Sequence, residues 1–168
     1  MNQKTAKEIF WDYSCNHFFL ERDGVKEQYI KLGGYILSDE CKWRKEFIDF
    51  WLNQMSINEI QSFQKLVDAE AGEILSQFIE FNSFRDDYIK FWYAYELLNL
   101  SKFSSAPLLR KRATLRAKFT LLELASGSIF LNVENRKLID NRMLEALCAS
   151  DPEGYIKNYA QRLLLELK

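Results

Sequence analysis

His17 is the only histidine in the sequence, so imidazole chemistry in this chain rests on one side chain. An imidazole can act as a general base, a proton carrier or a metal ligand. Glu21 follows four residues later, which on a helix places its carboxylate where it can orient the ring. Cys15 faces nearly the opposite side of a helix, which excludes a local Cys-His pair. The alternative is a structural histidine that is hydrogen-bonded to Glu21 or to a backbone carbonyl.

A charged turn after His17 completes the densest group of versatile polar side chains in the chain. It favours an enzyme or small-ligand site as one hypothesis, because acids, a cation and a phenol lie within one stretch. The alternative is structural, since Asp23-Gly24 is a common turn pair and an arginine stabilises a helix C-terminus. The candidate catalytic residues are His17, Glu21 and Asp23, and the candidate binding residues are Tyr13 and Arg22.

The largest charge asymmetry is a basic stretch between Glu96 and Glu123, which has six lysines and arginines and no acid. At about 100° per residue its cations fall on two strips of a helix, with large apolar residues between them. We expect this helix to be buried on two sides, with its cations at the edges. The split pattern disfavours a nucleic-acid backbone, which we keep as a second alternative using Arg112 and Arg116. The second strip is Lys111 with Lys118, and the apolar residues between the strips are Leu108, Leu115, Phe119 and Leu122.

Aromatic residues make up 15% of the chain, more than a core of this size usually requires. Tyr93 and Phe103 lie off the main apolar stripe of their segment, as does Phe19. Exposed aromatic side chains anchor protein interfaces, so we expect Tyr93 and Phe103 to contribute to a recognition surface. An equally weighted alternative is a compositional bias of the source, which carries no functional meaning.

The overall composition restricts the class of protein. The chain has 168 residues, a formal net charge of -1 and 48% hydrophobic residues, so it can build a core without disulfides and is too apolar for disorder. The near-neutral charge disfavours a bulk electrostatic grip on nucleic acid.

With no Cys-x-x-Cys pair and no phosphate-loop or dinucleotide motif, we expect no metal and no cofactor. The N-terminus lacks an apolar leader and no segment is long enough to span a membrane, so we expect a cytoplasmic protein that does not contact membranes.

Apolar residues recur at helical spacing along the chain, and glycines and prolines fall between the periodic segments. We therefore predict one all-α domain over 1–168, an irregular bundle of about seven to eight helices. Capping boxes, glycine stops and proline starts set the boundaries, and paired acids at 39–40 and 86–87 are explained as helix starts. The predicted helices are 5–22, 25–32, 38–55 with Ser38 as N-cap, 56–78 through Gly72, one opening at a capping box of Ser83 with Asp86, 107–125, 138–148, and one after an N-cap at Asp151.

Phe-Trp pairs recur at 10–11, 50–51 and 91–92, a spacing of roughly 40 residues that is typical of helical-hairpin repeats. Little else matches between the three copies. A short α-solenoid is therefore the alternative fold, and three core helices that each bury a bulky pair are the favoured explanation.

These patterns favour a small protein-interaction module over an enzyme. The leading hypothesis is an inhibitor, an immunity-type protein or an adaptor that binds a protein partner through a preformed helical, aromatic-rich surface. The alternatives are the site around His17 and the nucleic-acid-associated regulator described above. The strong enzyme motifs are absent from the sequence, which is why catalysis ranks second.

Overall fold

The computed structural model describes residues 4–132 and 151–167, and regular structure within these ranges is entirely helical. This confirms the all-α prediction. The helix predicted at 138–148 lies outside the described residues. The elements are α1 (Ala6–Asp12), α2 (His17–Arg22), α3 (Lys26–Lys31), α4 (Leu37–Gln54), α5 (Glu59–Asp68), a 3-10 turn (Gly72–Ile74), α6 (Leu75–Glu80), α7 (Asp87–Ser101), α8 (Pro107–Ser126) and α9 (Pro152–Glu166).

The helices group into two compact units, Met1–Ala71 and Gly72–Lys168. Each unit has its own buried apolar core: Tyr29, Phe47 and Phe63 are fully buried in the first, and Phe78 and Tyr93 in the second. The single domain over 1–168 stays a prediction. Within the described ranges, none of the helices combines the length and the apolar character needed to cross a membrane.

The prediction of one helix over 5–22 is wrong, because the chain turns between α1 and α2. The capping box that opens α1 is confirmed, with the hydroxyl of Thr5 accepting from the backbone N–H of Glu8. Ser14 and Cys15 then adopt left-handed φ values of 55° and 54° and end the helix. Asn16 starts α2, since its side-chain oxygen accepts from the backbone N–H of Phe18 at 3.0 Å. His17 is consequently the first residue of a new helix.

The second predicted long helix, 56–78, is interrupted as well. Its first part, α5, begins at Glu59 after an N-cap at Asn58, so the capping box predicted at Ser56 is wrong. The helix ends at Asp68, Glu70 takes a φ of 53°, and a 3-10 turn precedes α6. The break lies next to Gly72, the predicted weak point of that segment.

The remaining helix starts are mostly as predicted. Asp86 caps α7 by accepting from the backbone N–H of Ile89 at 2.9 Å, Pro107 opens α8, and Asp151 caps α9. Two predicted N-caps are wrong: Ser38 lies inside α4, which starts at Leu37, and Ser83 lies outside α7, whose N-cap is Asp86. Local capping chemistry therefore identifies most starts to within a few residues.

The three Phe-Trp pairs do not mark a repeat. They lie in α1, α4 and α7, which have 7, 18 and 15 residues. A solenoid requires hairpins of similar length at each copy. The described helices are therefore an irregular set rather than an α-solenoid.

Gly72 is required by a close backbone approach in the second unit. A β-carbon at this position would overlap the backbone carbonyl of Phe103, which is not a flexible group that can move aside. We expect Gly72→Ala to lower the free energy of unfolding by about 1–3 kcal/mol, because the overlap forces the backbone to shift. Urea denaturation followed by circular dichroism measures the change. Ser76→Ala, an exposed substitution in α6, is the matched control and should stay within about 0.5 kcal/mol of wild type. Equal stabilities of the two variants would contradict the requirement for glycine at position 72.

Candidate functional site

The centre of polar contacts in the first unit is the buried carboxylate of Glu40, in the first turn of α4. Its Oε1 accepts hydrogen bonds from the hydroxyl of Tyr29 at 2.6 Å and from the backbone N–H of Tyr35 at 3.1 Å. Its Oε2 lies 3.2 Å from Nε2 of His17. Three donors from α2, α3 and the turn before α4 therefore converge on one carboxylate. Glu40 was not among the predicted site residues, because an acid at a helix start already has an explanation in the helix dipole.

The turn between α3 and α4 is shaped so that it closes over this carboxylate. Gly33 and Tyr35 have φ values of 87° and 68°, which turn the chain back toward Glu40. Gly34 lies against the ring of Tyr29 so closely that a β-carbon would overlap it. A left-handed tyrosine is unfavourable unless its surroundings hold it, and the hydrogen bond from its N–H to Glu40 does so.

His17 packs beside aromatic rings as well as pairing with Glu40, and its side chain stays 39% exposed. The ring centroids of Phe10, Tyr29 and Tyr35 lie 5.5, 6.2 and 4.6 Å from that of the imidazole. Because the carboxylate accepts, Nε2 is assigned as the protonated nitrogen. Nδ1 is buried and has no hydrogen-bond partner among the described residues.

The predicted pairing of His17 with Glu21 is wrong. Glu21 instead forms an ion pair with Lys26, while His17 reaches α4. The two residues still lie four apart in α2, but Nε2 of His17 is occupied by Glu40 and the carboxylate of Glu21 by Lys26. The buried Glu40 then supplies the acceptor that the exposed Glu21 was expected to supply.

The other residues of the predicted polar site pair with their sequence neighbours. Nε of Arg22 lies 2.6 Å from Oδ1 of Asp23, and this hydrogen bond lowers the pKa of the Asp23 carboxyl. The guanidinium of Arg22 also covers the ring of Phe19 at 4.9 Å. Tyr13 is the half-buried C-cap of α1. The imidazole of His17 thus has its polar contact with Glu40 of α4. The charged side chains of residues 21–23 form ion pairs with residues close to them in sequence.

The chemistry available around His17 is limited by its neighbours. Burial raises the pKa of the Cys15 thiol to about 12, so the nucleophilic thiolate is scarce at neutral pH. The hydroxyl of Ser14 is buried and accepts from Nζ of Lys65 at 3.3 Å. Among residues 4–132 and 151–167, no group of three or more histidine, cysteine or carboxylate side chains is arranged to hold a metal ion. The catalytic roles assigned to His17, Glu21 and Asp23 stay predictions.

The second candidate site is one face of α8. We call Leu108, Leu115, Phe119 and Leu122 the α8 stripe; their side chains are 46–78% exposed. The opposite face, which includes Ala113, Ala117, Leu121 and Leu124, is buried, where α8 contacts α6, α7 and α9. The expectation that α8 is buried on two sides is therefore wrong. Three helices cover the side that carries Ala113 and Ala117, and the α8 stripe faces solvent.

The cations of α8 border the α8 stripe and differ in their contacts. Arg112 forms an ion pair with Glu80 at 2.8 Å, and Nζ of Lys118 donates to the backbone carbonyl of Leu167 at 3.4 Å. Arg110 and Lys111 are exposed, without an ion pair to another described residue. Arg116 is half-buried, and its Nε lacks a hydrogen-bond partner within the described part of the chain. Of the two arginines proposed to bind nucleic acid, Arg112 is thus engaged in an ion pair and Arg116 is half-buried.

Tyr93 and Phe103 differ in exposure. Phe103 is 42% exposed, in agreement with a surface position. Tyr93 is completely buried, and its hydroxyl donates to the backbone carbonyls of Phe78 and Ile79 at 3.0 and 3.1 Å. Burial raises the pKa of the Tyr93 hydroxyl. The expectation that Tyr93 is exposed is wrong, because α7 buries residues on more than one side.

Comparisons with known protein families, with curated proteins and with solved structures returned no match for this chain. The two sites are therefore compared by their own contacts. The carboxylate around which the His17 site is built is satisfied by donors of the first unit. The α8 stripe leaves large apolar surface in water, which is a typical property of a binding surface.

Tyr29 tests the role of the Glu40 network in stability. We expect Tyr29→Phe to lower the free energy of unfolding by about 1–3 kcal/mol, because it removes a donor from a buried carboxylate while leaving the ring in place. Tyr35→Phe is the matched control: the ring of Tyr35 is exposed, and the donor to Glu40 is its backbone N–H, which the substitution keeps. Chemical denaturation of both variants is the measurement, and an equal loss in the two would refute the network.

The raised pKa of the Cys15 thiol predicts that the free energy of unfolding decreases at alkaline pH. Its pKa is raised from 9.0 to about 12 in the folded chain, so the unfolded chain releases the thiol proton first. The contribution of this group is complete below about pH 9 and decreases between about pH 9 and pH 12, by at most about 1.4 kcal/mol per pH unit. Burial and the hydrogen bond to Glu40 also raise the pKa of Tyr29, which adds a decrease in the same direction.

The measurement is the free energy of unfolding at about pH 8 and about pH 10.5 with reductant present, where the Cys15 contribution to the decrease is about 2 kcal/mol. Cys15→Ala should remove this part of the decrease, although it lowers stability at neutral pH. Cys41→Ala, at an exposed cysteine, should keep the wild-type pH dependence. A Cys15→Ala variant with the full wild-type decrease would show that this thiol is not responsible.

Proposed function

We propose that the protein is a protein-interaction module that binds its partner on the α8 stripe. The observation that carries the proposal is the row of four large apolar side chains on the solvent side of a helix whose opposite face is buried. Isolated exposed apolar residues are common on protein surfaces, but a contiguous row marks an interaction site. The enzymatic alternative has weaker support, because the predicted polar site is divided between Glu40 and neighbouring ion pairs.

The helix that carries the stripe is preformed. α8 has 20 residues, begins with a proline at its first position and contacts α6, α7 and α9 along its buried face. Ala113 and Ala117 are completely buried there, which lets the neighbouring backbones approach closely. A rigid helix loses little conformational entropy when a partner binds, so its apolar contacts contribute more of their free energy to affinity.

The charge of α8 determines the kind of partner surface. From residue 97 to residue 122 the chain has no acid, and the exposed Arg110, Lys111 and Arg112 lie on the same helix as the stripe. A partner with acidic residues around an apolar centre matches this surface, and opposite charges accelerate association and exclude wrong partners. Inhibitors, immunity-type proteins and adaptors would all use such a surface. The setting that we propose is the reducing cytoplasm, because Cys15 and Cys41 are both unpaired.

The surface that we propose is rich in leucine rather than in aromatic residues. Phe119 is the single aromatic member of the α8 stripe. Other aromatic residues of the second unit pack on one another, such as Phe78 on Tyr93 and Phe91 on Tyr159, each at 5.5 Å between centroids. Part of the aromatic excess is therefore core packing.

Substitution within the stripe tests the proposed function. We expect Leu115→Ser with Phe119→Ser to reduce capture of the partner about tenfold or more in the cells that produce the protein, because central apolar residues dominate interface energies. Quantitative mass spectrometry after cross-linking compares this variant with wild type and with Leu165→Ser. Leu165 is 64% exposed on α9, so its variant controls for the loss of an exposed leucine.

Circular dichroism checks that the variants fold. Equal recovery of every cross-linked protein by the stripe variant would contradict the proposal. Recovery of no stoichiometric partner by wild type would contradict it too.

A further inference from the structure

The α8 stripe has the spacing of a coiled-coil seam. Leu108, Leu115 and Leu122 are seven residues apart, and Phe119 lies four residues after Leu115. With the leucines at d positions of a heptad, Phe119 falls at an a position, so the four side chains follow one a/d seam. The exposed side of α8 is therefore a seam for one further helix.

Most of the charged residues that border the seam are cationic. In the same heptad register Lys111 and Lys118 occupy g positions, and Arg116 occupies an e position. Arg112, at an a position, adds a charge inside the seam, with its guanidinium held by Glu80. The e and g positions determine partner choice in coiled coils through charge pairs across the seam. Acids at the facing positions of the partner helix would complete these pairs.

We propose that the α8 stripe binds one amphipathic α-helix of a partner protein, with apolar residues at a and d and glutamates or aspartates at e and g. This inference rests on the proposed function and names the chemistry of the partner. The stripe runs from residue 108 to residue 122, a length of about 21 Å along the helix axis. The partner helix therefore needs at least about four turns to cover it.

A second copy of the chain does not match this seam. Antiparallel pairing of two α8 helices places g against g and e against e, so Lys111 and Lys118 would face lysines of the other copy. Parallel pairing sets Lys111 against Arg116. The one acid at an e position, Glu123, already forms an ion pair with Lys90 at 2.7 Å. Like charges across the seam favour a different, acidic helix.

A lipid surface does not match it either. At about 100° per residue, the four side chains of the stripe cover about 60° of the helix circumference. That is the narrow stripe of a coiled-coil seam, whereas the apolar face of a helix packed on a broad surface is at least about 100° wide. Helices that lie in a membrane interface bury such a broad face among the lipids. The width of the stripe therefore selects a helix as its occupant.

Two synthetic peptides of about 21 residues, with leucine or isoleucine at a and d, test the inference on the full chain. One carries glutamate at every e and g position and the other carries lysine; each repels itself and stays unpaired alone. Fluorescence anisotropy measures binding of the labelled peptides. We expect the glutamate peptide to bind at least about tenfold more tightly than the lysine peptide at low salt, and added salt to reduce this difference.

Variants then locate the contact. Leu115→Ser with Phe119→Ser should weaken the glutamate peptide about tenfold or more, and Leu165→Ser should leave it unchanged. Lys111→Glu with Lys118→Glu should reverse the preference toward the lysine peptide, which a merely structural role of these lysines would not do.

Equal binding of the two peptides, no binding, or binding that the stripe variant retains would overturn the inference. A dimer in sedimentation that the stripe variant abolishes would assign the seam to a second copy and overturn it as well. So would stripe-dependent binding to vesicles with about 30% phosphatidylserine. Failure of the peptides together with stripe-dependent capture of a cellular protein would leave the proposed function standing and reject the helical partner.

Discussion

The close packing of the alanine side of α8 is the contact on which the second unit depends. Ala113 and Ala117 are completely buried where α8 meets α6, α7 and α9. Small side chains let helix backbones approach closely, so three neighbours fit against one side of a single helix. The four large apolar side chains of the α8 stripe are then left on the opposite side. The exposed stripe is thus a geometric consequence of which side the unit uses as its core.

The first unit depends on a different interaction, the burial of one charge. Taking the Glu40 carboxylate out of water is unfavourable unless donors replace the lost hydration. Tyr29, Tyr35 and His17 supply those donors, and each belongs to a different segment. The carboxylate therefore ties together segments whose helices have only six residues and are too short to be stable alone. The hydrogen bonds of this one carboxylate thus join α2, α3 and the turn before α4 to α4 itself.

How much the sequence predicts follows from the range of each interaction. The helix starts at Thr5 and Pro107 are encoded locally and were predicted correctly, because Thr5 accepts from a free backbone N–H and Pro107 lacks the N–H that would be left unpaired. The breaks at 14–15 and 69–71 were missed, because they use left-handed Ser14, Cys15 and Glu70 where glycine is the usual signal. The breaks are joined by contacts distant in sequence, such as the side-chain amide of Asn16 donating to the carbonyl of Asp68 at 2.8 Å. No local pattern encodes a contact of this kind.

The difference between local patterns and contacts distant in sequence also explains why the α8 stripe was predicted only in part. Periodicity correctly placed the cations of α8 on two strips with Leu115 and Phe119 between them, but it counts apolar positions without saying which are covered. Hydrophobicity alone would bury the leucines before the alanines, since each large side chain gains about 1.5–3 kcal/mol on burial. The structure buries Ala113 and Ala117 with Leu121 and Leu124 and leaves Leu108, Leu115, Phe119 and Leu122 exposed, so the folded chain keeps apolar surface whose transfer from water is still available. A partner helix that covers the stripe recovers this free energy, and the flanking cations decide which helices can do so.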